Sequence, residues 1–170
     1  VVSFHHMGNS LTVQAGQIEI NYNSVNYTSY CVDLDHYVQP TWTAIDAPVT
    51  SINGGMAIAW LYDHFASSIT TNAQAAGLQV AIWEVLDDYG GPLNLSTGNF
   101  KLDTTGDVAN AANGYLSALP ANLSGYTTPS FLVWSGDNPR SQNLIVPEPG
   151  TMMGLLVGLP LFLIRRMCQR

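Results

Sequence analysis

Apolar and polar positions alternate through the first part of the chain. Leu11 and Val13, then Ile18, Ile20 and Tyr22, then Tyr30, Val32 and Leu34 are apolar with polar residues between them, the period of two expected of half-buried strands. Ala15-Gly16 and the Asn-rich turn around Asn23 punctuate the pattern, which predicts antiparallel strands. If Tyr30, Val32 and Leu34 face the core, the same period turns Ser29, Cys31 and Asp33 to the other face. A further strand is predicted at TWTAI (41–45). The texture changes at Asn53-Gly54-Gly55. Met56–Ala66 and Asn72–Tyr89 read as helices, the second capped by Asn72 or a neighbouring Thr and ended by Gly90-Gly91-Pro92. A third helix is predicted over Gly106–Leu119, and SFLVWS (130–135) and NLIV (143–146) return to strand texture. Strands, helices, then strands predict an α+β domain over residues 1–146, an antiparallel β-sheet or sandwich with a small helical layer.

Two residues stand out against this pattern. Between Ala75 and Leu86 the second helix is apolar almost all round, with Gln79 and Glu84 its only polar side chains, and a helix apolar on every face is buried. A buried Gln must find partners for two donors and an acceptor, at about 1 to 3 kcal/mol for each group left unsatisfied. Cys31 is the second oddity, the one cysteine before Cys168. A thiol held against a Gln side-chain carbonyl can attack it, pass through a tetrahedral oxyanion and expel ammonia, leaving an intramolecular thioester. Well-oriented intramolecular groups reach effective molarities of about 10⁵ M or more, so placement counts for more than intrinsic reactivity.

Composition narrows the function. Charged residues are only 10% of the chain, and the formal net charge is −7. Before Pro147, eleven acidic residues face only Lys101 and Arg140, a balance of −9. So acidic a body repels phosphate backbones, and the chain has no phosphate-binding loop or dinucleotide fingerprint, which argues against nucleic-acid and nucleotide binding. Lys101 is its single lysine. A low-charge surface accounts for that, and so does the advantage of few amines in a protein that carries an acyl donor for amines.

The C-terminal segment, VPEPGTMMGLLVGLPLFLIRRMCQR, joins Pro147-Glu148-Pro149, a 14-residue apolar run from Thr151 to Ile164, and Arg165-Arg166. The run is short of the roughly 20 residues that cross a bilayer comfortably, but a basic pair directly after it fits the cytoplasmic end of an inserted segment. These three parts in this order resemble the PEP-CTERM sorting signal of Gram-negative bacteria. The resemblance implies a C-terminal hydrophobic sorting helix over 147–170, transient anchoring in the inner membrane, processing by an exosortase, and delivery to the cell surface or the extracellular matrix. With the tail inserted, Cys168 lies on the cytoplasmic side and cannot pair with Cys31. VVSFHHMGNS has neither a charged start nor a long apolar run, so the sequence is expected to begin after an export signal.

The body resembles a second family. Tyr30-Cys31-Val32-Asp33 together with Leu78-Gln79-Val80-Ala81-Ile82-Trp83-Glu84 is similar to the paired signature of bacterial thioester domains, a strand-borne YC(V/I)D-type cysteine and the Gln of a helical LQxAIWE-type motif. The likeness runs from Gly8 to Phe100 and into the third helix. It implies that Cys31 is the thiol and Gln79 the acyl donor, that Trp83 shields the bond, and that Tyr30, Val32 and Ile82 pack around it. Asp33 and Glu84 are left with either orienting hydrogen bonds or a chemical part. The implied activity is a covalent trap, not an enzyme. An amine, typically a Lys on a partner protein, or a hydroxyl of a polysaccharide attacks once, freeing the Cys31 thiol. No cofactor or metal is implied.

Three other readings compete. In a cysteine protease Cys31 would be the nucleophile, His36 or His64 the base, and Asp63 or Asp87 the orienting group; yet His36, five residues along a strand from Cys31, is expected to point to the opposite face. Asp33, Asp35, Asp87 and Asp88 offer oxygen ligands for calcium, but no DxDxDG loop with its distal Glu is present, and His5-His6 near the start reads as a surface pair. Finally, a chemically inert extracellular-matrix protein would hold Cys31 as a small buried hydrophobe and Gln79 as a satisfied core amide.

Overall fold

The computed structural model describes residues 1–136 and 140–148. Pro149, the apolar run, Arg165 and Arg166 lie outside the described residues, and with them most of the sorting segment read from the sequence. Among the described residues no helix is long and apolar enough to cross a membrane.

Among the described residues, eight strands and three α-helices follow in the order β1 (Val2–His6), β2 (Asn9–Val13), β3 (Ile18–Tyr22), β4 (Val25–Cys31), β5 (Ala44–Ala47), α1 (Gly55–Phe65), α2 (Asn72–Asp88), β6 (Phe100–Leu102), α3 (Asp107–Ala118), β7 (Phe131–Ser135) and β8 (Leu144–Val146). They form an α+β domain with two wholly antiparallel sheets, ordered β2-β1-β6 and β3-β4-β8-β7-β5. Two tight hairpins set the register. Met7-Gly8 and Asn23-Ser24 all have positive φ, the backbone of a two-residue turn whose twist matches the flanking strands. They place His6 opposite Asn9 and Tyr22 opposite Val25.

The α2 helix starts in a capping box, with the Thr71 hydroxyl accepting from the Gln74 N–H and the Gln74 side chain accepting from the Thr71 N–H. From there it runs buried through the molecule and separates two apolar cores. Leu78, Ala81, Ile82 and Val85 pack with Tyr30, Val32 and α1 in one core. Ala76, Val80 and Trp83 pack with Val2, Phe4, Cys31 and Phe100 in the other. Gly77 lets α3 come close, since a Cβ there would stand 2.6 Å from the Ala111 Cβ.

Several sequence expectations need correction. The period of two through β4 holds, but over its last three residues, Ser29–Cys31, both faces are buried. Tyr30 and Val32 enter the first core while Cys31 enters the second, so Cys31 faces a core of its own instead of leaving one. Leu34 lies beyond the end of β4 and packs on the Cys31 side, not with Tyr30 and Val32. The predicted strand at 41–45 is displaced to Ala44–Ala47. Strands β1 and β6 were not anticipated. His6 is no surface residue either, because β1 is the central strand of its sheet and Val2, Phe4 and His6 share one face of it.

Candidate functional site

The site lies where the end of β4 meets the middle of α2. Gln79, 1% exposed, and Cys31, 2% exposed, meet through two reciprocal hydrogen bonds. The Cys31 N–H donates to Gln79 Oε1 at 2.9 Å, and Gln79 Nε2 donates to the Cys31 carbonyl at 2.8 Å. The cost of burying a primary amide is thereby largely met. The same pairing holds the amide carbon beside the cysteine whose backbone grips it, and leaves an N–H donor on the oxygen that would carry negative charge during acyl transfer.

The sulfur is held by its neighbours. The Cys31 thiol donates to the Asp33 carbonyl at 2.7 Å, and the Asp33 N–H donates to Sγ at 3.3 Å. Burial pushes the thiol up to about 12, against the Asp33 backbone hydrogen bond and the Trp83 indole, which favour the thiolate. The Trp83 indole N–H makes no well-formed hydrogen bond, so its pull on the sulfur is the weaker of the two. Trp83 is itself buried, with ring centroids 5.1 Å from Phe4 and 6.4 Å from Phe100. These rings form an apolar wall on the Cys31 side of α2.

A cavity of about 540 Å³ opens over this pair. Its lining runs from buried Cys31, Gln79 and Trp83 through His6, Asp35 and His36 to Tyr37, which is 74% exposed. Asp33 builds the loop that forms one side. Its Oδ1 accepts from the N–H groups of Asp35 (2.9 Å) and His36 (3.2 Å), and His36 Nδ1 lies 2.9 Å from both carboxylate oxygens. Beside it, His6 Nδ1 is 2.6 Å from Asp87 and Nε2 is 3.5 Å from Asp35. Burial raises the Asp87 carboxyl, with His6 opposing the shift.

The sequence-predicted residues divide accordingly. Cys31, Gln79 and Trp83 come together at the cavity floor. Tyr30 and Ile82 are fully buried in the first core and support β4 and α2 from behind. Glu84 is elsewhere: its Oε1 accepts the Asn94 N–H at 2.6 Å, and Oε2 is buried without a partner. Burial pushes this carboxyl up to about 7, the Asn94 bond opposing and the charges of Asp88 and Asp87 adding. The expectation that His36 faces away from Cys31 is overturned, since β4 ends at Cys31 and the following loop brings His36 to the same cavity. His6 was missed as a site neighbour, although the Val2-Phe4-His6 alternation carried the signal. Asp63 and His64 lie outside the cavity lining. The Asp63 carboxylate accepts hydroxyls from Tyr126, Thr128 and Ser130, and His64 stacks on Trp60. Asp88 accepts the N–H groups of Asn99 and Phe100 and so anchors the loop into β6. Among the described residues no group of three or more His, Cys, Asp or Glu could hold a metal ion.

The fold and site define an α+β domain with a buried Cys–Gln pair beneath an open cavity. Among solved structures the chain is similar to the N-terminal thioester domain of fibronectin-binding protein SfbI from Streptococcus pyogenes, at 17% identity over 86% of this chain and 92% of that one, with a TM-score of 0.46. It is also similar to the N-terminal thioester domain of a surface protein from Clostridium perfringens, at 13% identity over 85% and 96% of the two chains, with a TM-score of 0.49. No family model matches the chain, and no curated protein matches it.

Proposed function

We propose that the protein is an exported covalent binder whose Cys31 and Gln79 form an internal thioester. The reading rests on one observation, the reciprocal hydrogen bonding of the Gln79 amide with the Cys31 backbone inside an apolar site that opens to solvent. In the forming step Sγ bonds to the Gln79 amide carbon, the C–N bond breaks, and ammonia leaves with the thiol hydrogen. In the capture step a partner amine or hydroxyl attacks that carbon, the C–S bond breaks, and the product is an amide or ester at Gln79 with a restored Cys31 thiol. Each molecule reacts once, so the protein is a trap and not an enzyme. Export, exosortase processing and display at a cell surface or in the matrix of a Gram-negative bacterium belong to the same proposal and rest on the sequence of the tail from Pro147 onward. The partner is a Lys-bearing protein or a polysaccharide.

The thiol's elevated pKa counts against a cysteine protease, whose nucleophile is activated by a lowered one. A chemically inert matrix protein would draw on the same satisfied amide and buried thiol. Incubation with a fluorescent primary amine followed by denaturing electrophoresis separates the two. Covalent label on the wild type and none on Cys31→Ala supports capture, whereas unlabelled wild type supports the inert protein.

A further inference from the structure

Resting on the thioester reading, we propose that His36, oriented by Asp33, is the proton-transfer group of the capture step. A carboxylate only accepts hydrogen bonds, so the His36 Nδ1 that faces both Asp33 oxygens at 2.9 Å carries a hydrogen in the neutral ring. The lone pair then resides on Nε2. His36 shares the cavity with Cys31 and Gln79. Its orienting residue, Asp33, also holds the sulfur through its backbone N–H and carbonyl, so one residue positions both the leaving atom and the base. His6, the other histidine of the cavity, has Nδ1 2.6 Å from Asp87 and an exposed Asp35 carboxylate 3.5 Å from Nε2, and neither of these carboxylates belongs to a residue that also holds the sulfur, as Asp33 does.

The proton balance explains why such a group is needed. As the nitrogen of an incoming primary amine bonds to the Gln79 carbonyl carbon, Nε2 takes its proton. As the C–S bond breaks, the imidazolium returns that proton to Sγ, so amine plus thioester gives amide plus thiol with no net proton change. A sulfur buried where burial strongly disfavours the thiolate leaves poorly without it. A positioned general acid–base group contributes about 10²-fold or more.

The titratable and charged groups facing His36 are Asp33 and Asp35 on its own loop, His6 on β1, Asp87 at the end of α2, and Arg140 before β8. The test follows capture of methoxyamine, a weakly basic amine that is almost wholly unprotonated above about pH 6, so that an inflection in rate between about pH 6 and 8 reports the protein. Intact mass first establishes the ammonia-light thioester form; its absence from wild type overturns the thioester reading itself. Given that form, the wild-type rate is expected to rise through one inflection in this range. His36→Gln, with the thioester still present by mass, is expected to lose the inflection and react about 10²-fold more slowly, with added imidazole restoring part of the rate to His36→Gly. A flat wild-type profile, or an inflection and rate unchanged in His36→Gln, overturns the role of His36 and leaves the thioester standing. Where His36→Gln folds poorly, Asp33→Asn, which weakens the orientation of the ring, and His6→Gln provide the comparison: the inflection is expected to survive in His6→Gln and to be lost or displaced in Asp33→Asn, and loss in His6→Gln alone overturns the role of His36.

Discussion

Gln79 Oε1 accepts the backbone N–H of Cys31 while Gln79 Nε2 donates to the carbonyl of the same residue. One side chain of α2 thus takes over both backbone groups of the last residue of β4. Measured against Cys31→Ala, in which no thioester forms and the amide stays whole, Gln79→Ala strips partners from two fully buried backbone groups, at about 1 to 3 kcal/mol each. The expected outcome is a loss on the order of 3 kcal/mol in denaturant unfolding together with complete loss of amine capture. Cys31→Ala, which keeps the backbone pair, is expected to lose capture at much smaller cost in stability.

Trp83 is first a wall, with its indole N–H near the sulfur but not in a well-formed hydrogen bond. Trp83→Phe retains most of the packing against Phe4 and Phe100 but removes the indole N–H that favours charge on the sulfur. Capture of a small amine is expected to slow several-fold with little change in melting temperature. Trp83→Ala opens a cavity in the second core, for a loss of about 3 to 5 kcal/mol, and lets water reach the acyl bond. Hydrolysis of the thioester, followed by mass, is then expected to quicken.

Glu84 gives stability a pH dependence. Its carboxyl titrates near 7 in the folded protein against 4.5 for an unperturbed Glu, so between these values the folded chain holds a proton that the unfolded chain has released. Stability therefore falls as pH rises from about 4.5 to 7 and levels off above, by a total on the order of 3 kcal/mol. Glu84→Gln keeps an acceptor for the Asn94 N–H and is expected to remove this slope. Urea unfolding at a series of pH values measures it.

The α2–α3 crossing is close because residue 77 has no side chain. A methyl group there would meet the Ala111 Cβ at 2.6 Å and the Ala112 nitrogen at 3.0 Å. Gly77→Ala is expected to cost about 1 to 3 kcal/mol by forcing the helices apart. The loss appears in thermal unfolding, while helical content by circular dichroism stays unchanged.

Helices α1 and α2 were legible because each carries strong local signals: the Gly54-Gly55 entry of α1, and the Thr71 cap and nearly all-apolar middle of α2. The Cys31–Gln79 pair was legible for a different reason. A polar residue in an otherwise apolar helix demands a partner, and the chain offers few candidates. His36 was misplaced because the period of two was carried past Cys31, where β4 ends and the Asp33 side chain folds the following residues into a turn. Side-chain capping of that kind leaves no mark in hydrophobic periodicity. Strand β6 is only three residues long, and its place beside β1 depends on the Asp88 carboxylate gripping the N–H groups of Asn99 and Phe100, a tertiary contact without a local signature.

The account turns on a bond between Sγ of Cys31 and the side-chain carbon of Gln79, and intact mass of the protein made without reductant reads it directly. The predicted result is a wild-type body one ammonia lighter than its sequence that gains one methylamine on treatment, beside a Cys31→Ala variant that does neither. A wild type of full sequence mass, with a titratable thiol and an unmodified Gln79 in its peptide map, contradicts it.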